Sequence, residues 1–154
     1  MKGHALAVVV GALALASAAF AQSDVGPPRW MANIARHQQV LMTGVPRPYS
    51  AMRDTTPDTP AKLRQGAILF DRECAGCHGI GGEGTGPDAF ALVPAPADLN
   101  WLARAPADKA QPYMYWTIAE SGEAFGSEMP GYKGSLSEKD IWALIAYIRA
   151  GYPQ

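Results

Sequence analysis

The apolar positions fall into helical periods, and the last of these is the best defined. Ile141, Leu144, Ile145 and Ile148 recur at the i, i+3, i+4, i+7 spacing of one helix face. Ser137 stands at the N-cap position, Asp140 three residues on completes a capping-box pattern, and Gly151 and Pro153 end the run. An earlier period, Leu63, Gly66, Ala67 and Phe70, follows Thr59-Pro60, a capping residue with proline at the first helical position. A middle helix is predicted over residues 113–120, stopping at Gly122. Upstream, Trp30, Ile34 and Leu41 recur at helical spacing beside Met31 and Met42, between Pro27-Pro28 and Gly44. One short helix is predicted there, followed by an extended connector through Pro46, Pro48 and Pro57. No run alternates with period two and no repeat is present, so the expected class is all-α.

Two stretches follow neither pattern. Residues 79–111 are rich in glycine, proline and alanine. A structureless loop of that length inside a small domain needs a reason, and wrapping something large would be one. Residues 5–19 are uniformly small or apolar, with Lys2 before them and the small-x-small tripeptide Ala19-Phe20-Ala21 after them. That layout predicts a signal peptide over residues 1–21, cleavage before Gln22 and export to the periplasm. The run is shorter than the roughly 18–20 residues that span a bilayer. An uncleaved anchor is the alternative, and no later stretch is long enough to span.

Composition narrows the class further. The chain has 154 residues, 48 % apolar and 18 % charged, which is globular rather than disordered. After the predicted signal peptide, residues 22–56 form an N-terminal extension and residues 57–154 one domain. The extension carries four arginines (Arg29, Arg36, Arg47, Arg53) against Asp24 and Asp54, whereas residues 57–154 carry eight basic and twelve acidic side chains. The formal net charge of −1 leaves no basic excess for a nucleic-acid partner. The extension reads either as a docking arm for a partner or as a helix packed on its own domain.

The two cysteines stand in Cys74-Ala75-Gly76-Cys77-His78, the C-x-x-C-H signature of c-type haem attachment. Residues i and i+3 of a helical turn share a face, so both thiols can reach the vinyl groups on one porphyrin edge. His78 follows at once and can turn its imidazole to the iron. An export signal, which periplasmic haem attachment requires, accompanies the motif. A thioredoxin-like redox pair would need a βαβ setting, a plain disulfide would suit an oxidising compartment, and zinc would need more ligands than His37 and His78 supply.

With these residues the chain resembles the class I monohaem cytochromes c over about residues 60–152. The resemblance implies a fold in which the first and last helices of the domain cross around one covalent haem c. Gly66 and Phe70 of the first helix would meet Tyr147 of the last. It also implies a methionine as the sixth iron ligand on a loop before the last helix, where Met129 precedes Pro130. Met114 and, from the extension, His37 are the rivals for that position. In the family a proline carbonyl accepts a hydrogen bond from the second nitrogen of the haem histidine, and Gly86-Pro87 places Pro87 in that role. The expected cofactor-binding residues are therefore Cys74, Cys77, His78, Met129 and Pro87, with His78 and Met129 on the metal.

The function so implied is one-electron transfer in the periplasm, by a carrier rather than an enzyme. Its partners would be redox proteins of a respiratory chain: a dehydrogenase, an oxidase or a reductase. Filled axial positions suit electron transfer; an open iron site would instead bind small ligands or act on peroxide. The chain would act as a monomer or as a fixed subunit of a larger redox complex.

Overall fold

The computed structural model describes residues 35–154. The predicted signal peptide and the start of the extension, with Arg29, Trp30, Met31 and Ile34, lie outside the described residues. Six α-helices follow in order among the described residues: α1 (Ala35–Thr43), α2 (Pro60–Glu73), α3 (Ala75–His78), α4 (Asn100–Arg104), α5 (Ala107–Ala119) and α6 (Glu138–Arg149). Single 3-10 turns lie at Tyr49–Ala51, Ala89–Ala91 and Glu123–Phe125. No strand is present among the described residues.

Helix α2 starts where its cap requires. The Thr59 side chain accepts from the Lys62 N–H at 3.2 Å and Pro60 occupies the first turn. Ser137 and Asp140 form a reciprocal capping box at the start of α6. Every residue from Ile141 to Ile148 is buried, so α6 is more than a one-faced amphipathic helix. The reason is its position: α2, α4 and α5 all pack against it. Gly66 makes the closest approach. A Cβ there would stand 2.1 Å from the Ala143 carbonyl oxygen and 2.7 Å from the Tyr147 Cβ. The Phe70 ring meets those of Tyr147 and Tyr152 at centroid separations of 5.7 Å and 5.1 Å, which are attractive aromatic geometries.

The middle helix is longer than its sequence pattern indicated. It begins at Ala107 rather than Tyr113 and carries Pro112 inside it. Proline removes one backbone donor there, but the buried face of Ala110, Met114, Tyr115 and Ile118 holds the helix together across it. The stretch 79–111 is accordingly not one loop, since it includes α4, a 3-10 turn and the first turn of α5.

The described part of the extension packs on the domain. Tyr49 is buried in the core and its hydroxyl donates to Glu120 Oε1. Val40, Val45 and Met52 pack against the same core. Lys62 pairs with Asp54 and, at 2.6 Å, with Asp58. The orientation of α1 differs from the apolar pattern, because Leu41 and Met42 are exposed and Arg36 is the residue it buries.

Candidate functional site

The site starts at the junction of α2 and α3. The Cys74 N–H closes the last turn of α2 on the Phe70 carbonyl at 2.9 Å, and the His78 N–H bonds the Cys74 carbonyl at 2.8 Å. The three residues of the motif are thereby fixed on one helical turn, which ends at Gly79 with φ +78°. Cys74, Cys77 and His78 all line one cavity, together with Met129, Pro130 and Tyr132 and a predominantly apolar wall that includes Leu92, Leu99, Trp101, Leu102 and Leu144.

His78 has a defined tautomer. Its Nδ1 lies 2.8 Å from the carbonyl oxygen of Ala97. A carbonyl only accepts, so Nδ1 carries the proton and Nε2 keeps the lone pair needed for a metal. Burial lowers the pKa of His78 against the opposing pull of that hydrogen bond, and so favours the neutral, ligating form.

This contact corrects the expectation for Pro87. The partner of His78 is Ala97, and Pro87 is absent from the residues lining the cavity. The cause lies in the loop. Gly86 is pressed against the motif, with its N–H on the Cys77 carbonyl at 3.1 Å, and the Asp88 N–H holds the Gly76 carbonyl at 2.9 Å. The chain then returns through residues 94–97 to the cavity wall. The Leu99 N–H, bonded to the Gly82 carbonyl at 2.7 Å, holds that return in place.

Met129 reaches the cavity from a loop laced to the end of α5. Its carbonyl accepts from the Gly122 N–H at 2.7 Å, and the Tyr132 N–H bonds the Ile118 carbonyl at 3.0 Å. Sequence reasoning missed Tyr132. Its hydroxyl donates to the Glu73 carbonyl at 2.8 Å and ties the methionine loop to the end of α2 beside Cys74. Burial, with Cys74 and Glu73 nearby, pushes the Tyr132 phenol up to about 12, so it stays a donor. Met114 also lines the cavity, from within α5. His37 does not: it lies on α1, and its ring meets Trp101 edge-on at 6.1 Å.

The donor set discriminates among chemistries. Burial, with Glu73 and Cys77 adding negative charge, raises the Cys74 thiol to about 12. Burial and then Asp88 and Glu128 also raise Cys77. A thiol-redox pair needs an activated thiolate and therefore the opposite shift. Among the described residues no group of three His, Cys, Asp or Glu side chains could hold a metal ion, which disfavours zinc. A haem fits instead. Two thiols share one turn, a histidine offers Nε2, a soft thioether lines the same cavity, and the walls are apolar. Two buried donors in that wall, Arg36 Nη1 and Trp101 Nε1, have no hydrogen-bond acceptor among the described residues.

The chain is similar to several known proteins. The family model described as Cytochrome c matches residues 63–151. One of the subunits of the nicotinate dehydrogenase of Pseudomonas putida is 29 % identical over 114 residues. That alignment covers 73 % of this chain but only 9 % of the relative, so the chain corresponds to a small part of that protein. Among solved structures, a chain of the reducing HAO-like protein complex of Kuenenia stuttgartiensis matches with a TM-score of 0.52 at 20 % identity, covering 73 % of this chain and 53 % of that one. Cytochrome CL of Methylophaga aminisulfidivorans is 24 % identical with a TM-score of 0.43, over 75 % of this chain and 66 % of that one.

Proposed function

Because this chain belongs to the cytochrome c family, whose domain performs haem-based electron transfer, we propose that it carries single electrons between redox proteins in the periplasm on one covalent haem c. The observation that carries this reading is the convergence of Cys74, Cys77, His78 and Met129 on one apolar cavity, with His78 held to the Ala97 carbonyl. A haem held by these residues would supply one-electron redox chemistry at its iron.

The chain's own residues do the rest. Cys74 and Cys77 attach the cofactor, and His78 offers Nε2 while Ala97 holds the ring's tilt and tautomer. Met129 would hold the iron through its thioether, a soft ligand that together with histidine would raise the potential. The apolar walls exclude water and keep the dielectric low, which limits reorganisation when charge changes. Ile80, Phe90 and Val93, all exposed beyond the motif, offer an apolar contact for a transient partner.

Similarity to a region of a dehydrogenase favours a dehydrogenase as the electron donor, either in free encounter or within a complex. The signal-peptide pattern of residues 1–21 supports the periplasmic location, and no described helix is long and apolar enough to cross a membrane.

The test is absorption spectroscopy of the protein expressed with haem-attachment machinery, after acid–acetone extraction. Retained haem, a sharp α-band on reduction and the far-red ferric band of a methionine–iron bond are expected. Met129→Ala should keep the haem, lose the far-red band, lower the potential and admit carbon monoxide. Met114→Leu should leave the band in place. Loss of the band in the Met114 variant alone would reassign the ligand. Retained haem with a high-spin spectrum in the unaltered protein would favour ligand binding or peroxide chemistry.

A further inference from the structure

Tyr152 carries two costs that the electron-transfer reading does not use. It is the one non-glycine residue among those described with a positive φ, +58°, just past the end of α6. Its hydroxyl is buried and has no hydrogen-bond partner among the described residues. A strained backbone and an orphaned hydroxyl at one buried residue point to a side chain whose place matters. Rings from α2 and α6 clamp it, Phe70 at 5.1 Å and Tyr147 at 5.5 Å between centroids. Its tip rests on Gly82, where a Cβ would overlap the hydroxyl oxygen.

Gly82 belongs to the glycine-rich turn 79–84 that follows His78. One glycine of this turn touches Tyr152 and another touches the histidine's partner. The Gly82 carbonyl accepts from the Leu99 N–H at 2.7 Å, and the Gly81 carbonyl accepts from the Asn100 side chain at 3.1 Å. The Gly84 N–H donates to the His78 carbonyl at 2.7 Å. A Cβ on Gly84 would stand 2.5 Å from the Pro96 carbonyl oxygen and 3.3 Å from that of Ala97. One short turn therefore separates Tyr152 from the carbonyl that fixes the Nδ1 proton of His78.

We propose that Tyr152 is a positioning residue for His78: by bracing the turn 79–84 it holds the Ala97 carbonyl on Nδ1, and so sets the donor strength of Nε2 toward a haem iron. The inference rests on the haem reading above. At 2.8 Å the His78–Ala97 bond is near its best length, so added freedom in the turn weakens it. A weaker bond leaves the imidazole a poorer donor, disfavours ferric iron and raises the potential.

The full-length, haem-loaded protein is the test material. Two quantities are followed in wild type, Tyr152→Phe, Tyr152→Leu and Gly84→Ala: the midpoint potential, and the chemical shift of the His78 Nδ1–H in the ferrous protein. Tyr152→Leu withdraws the ring tip from Gly82. Its potential should rise and its Nδ1–H resonance should move upfield, as a weakened hydrogen bond requires. Tyr152→Phe removes only the hydroxyl and should move both quantities the same way by less. A merely structural Tyr152 gives the opposite sign, because a loosened pocket admits water, and water stabilises ferric iron and lowers the potential. Melting temperature falls in either case and does not discriminate. Gly84→Ala displaces the Pro96–Ala97 peptide directly, so both quantities should change there with Tyr152 in place. A haem-loaded Tyr152→Leu protein with an unmoved Nδ1–H resonance, or with a potential at or below wild type, would overturn the proposal. If that variant loses its haem, Tyr152→Phe decides, and unshifted values there would overturn it equally. Wild-type protein without covalent haem would overturn the haem reading itself, and this inference with it.

Discussion

The carbonyl oxygen of Ala97 decides which nitrogen of His78 is left to meet a metal. Backbone atoms have no side-chain signature, so the sequence offers no signal for this role, and a glycine–proline pair nearer the motif is the natural guess. Tyr132 is a similar case. Its hydroxyl joins the methionine loop to the end of α2, two segments separated by 59 positions. Tyr132→Phe removes that bond and leaves the Glu73 carbonyl short of a donor. The variant should lose about 0.5–1.5 kcal/mol in chemical denaturation. By contrast the gathering of Cys74, Cys77 and His78 on one turn at the cavity was legible, because residues that close in the chain share a helical turn.

Local capping and close approach govern the elements. The Ser137–Asp140 box satisfies backbone donors that α6 would otherwise leave open. Ser137→Ala should cost about 1 kcal/mol in the same measurement. Gly66 faces a harder constraint, because the neighbour a Cβ would strike is the Ala143 carbonyl in the middle of α6. Gly66→Ala must force α2 and α6 apart, and overpacking of this kind costs about 1–3 kcal/mol or more. A Gly66→Ala protein melting with wild type would show that α2 and α6 separate at no cost. Both sites were visible in the sequence, the first as a motif and the second through the family resemblance. The burial of Arg36 instead of Leu41 and Met42 was not visible, since it depends on Trp116, Phe125 and Ser121 being gathered from a distant part of the chain.

At the scale of the whole molecule, the described part of the extension and the domain share one core and one ion pair. Tyr49 and Met52 join residues of α5 and α6, and Asp54 pairs with Lys62 of α2. Burial alone would raise the Asp54 carboxyl, but hydrogen bonds from Lys62 and Thr56 outweigh it and hold the group below its ordinary value. Its contribution to stability is therefore full above the unfolded-state value and is lost as pH falls through the native one. Asp54→Asn should melt below wild type at neutral pH and converge with it in acid, as thermal melts across that range would show. Deleting residues 22–56 should lower the melting temperature of the haem-loaded domain and expose Trp116 and Phe125. Unchanged melting would return the extension to the role of a free arm.

What the sequence determined by itself was everything written in local chemistry: the turn that carries Cys74, Cys77 and His78, the caps and period of α2 and α6, and the absence of a strand pattern. Each depends on residues within a few positions of one another. The tertiary structure alone decided which carbonyl orients His78, which face of α1 is buried, and which donors converge on the cavity. Those outcomes depend on contacts between distant segments. Burial makes unpaired donors and charges costly there, and so selects the partners they must find.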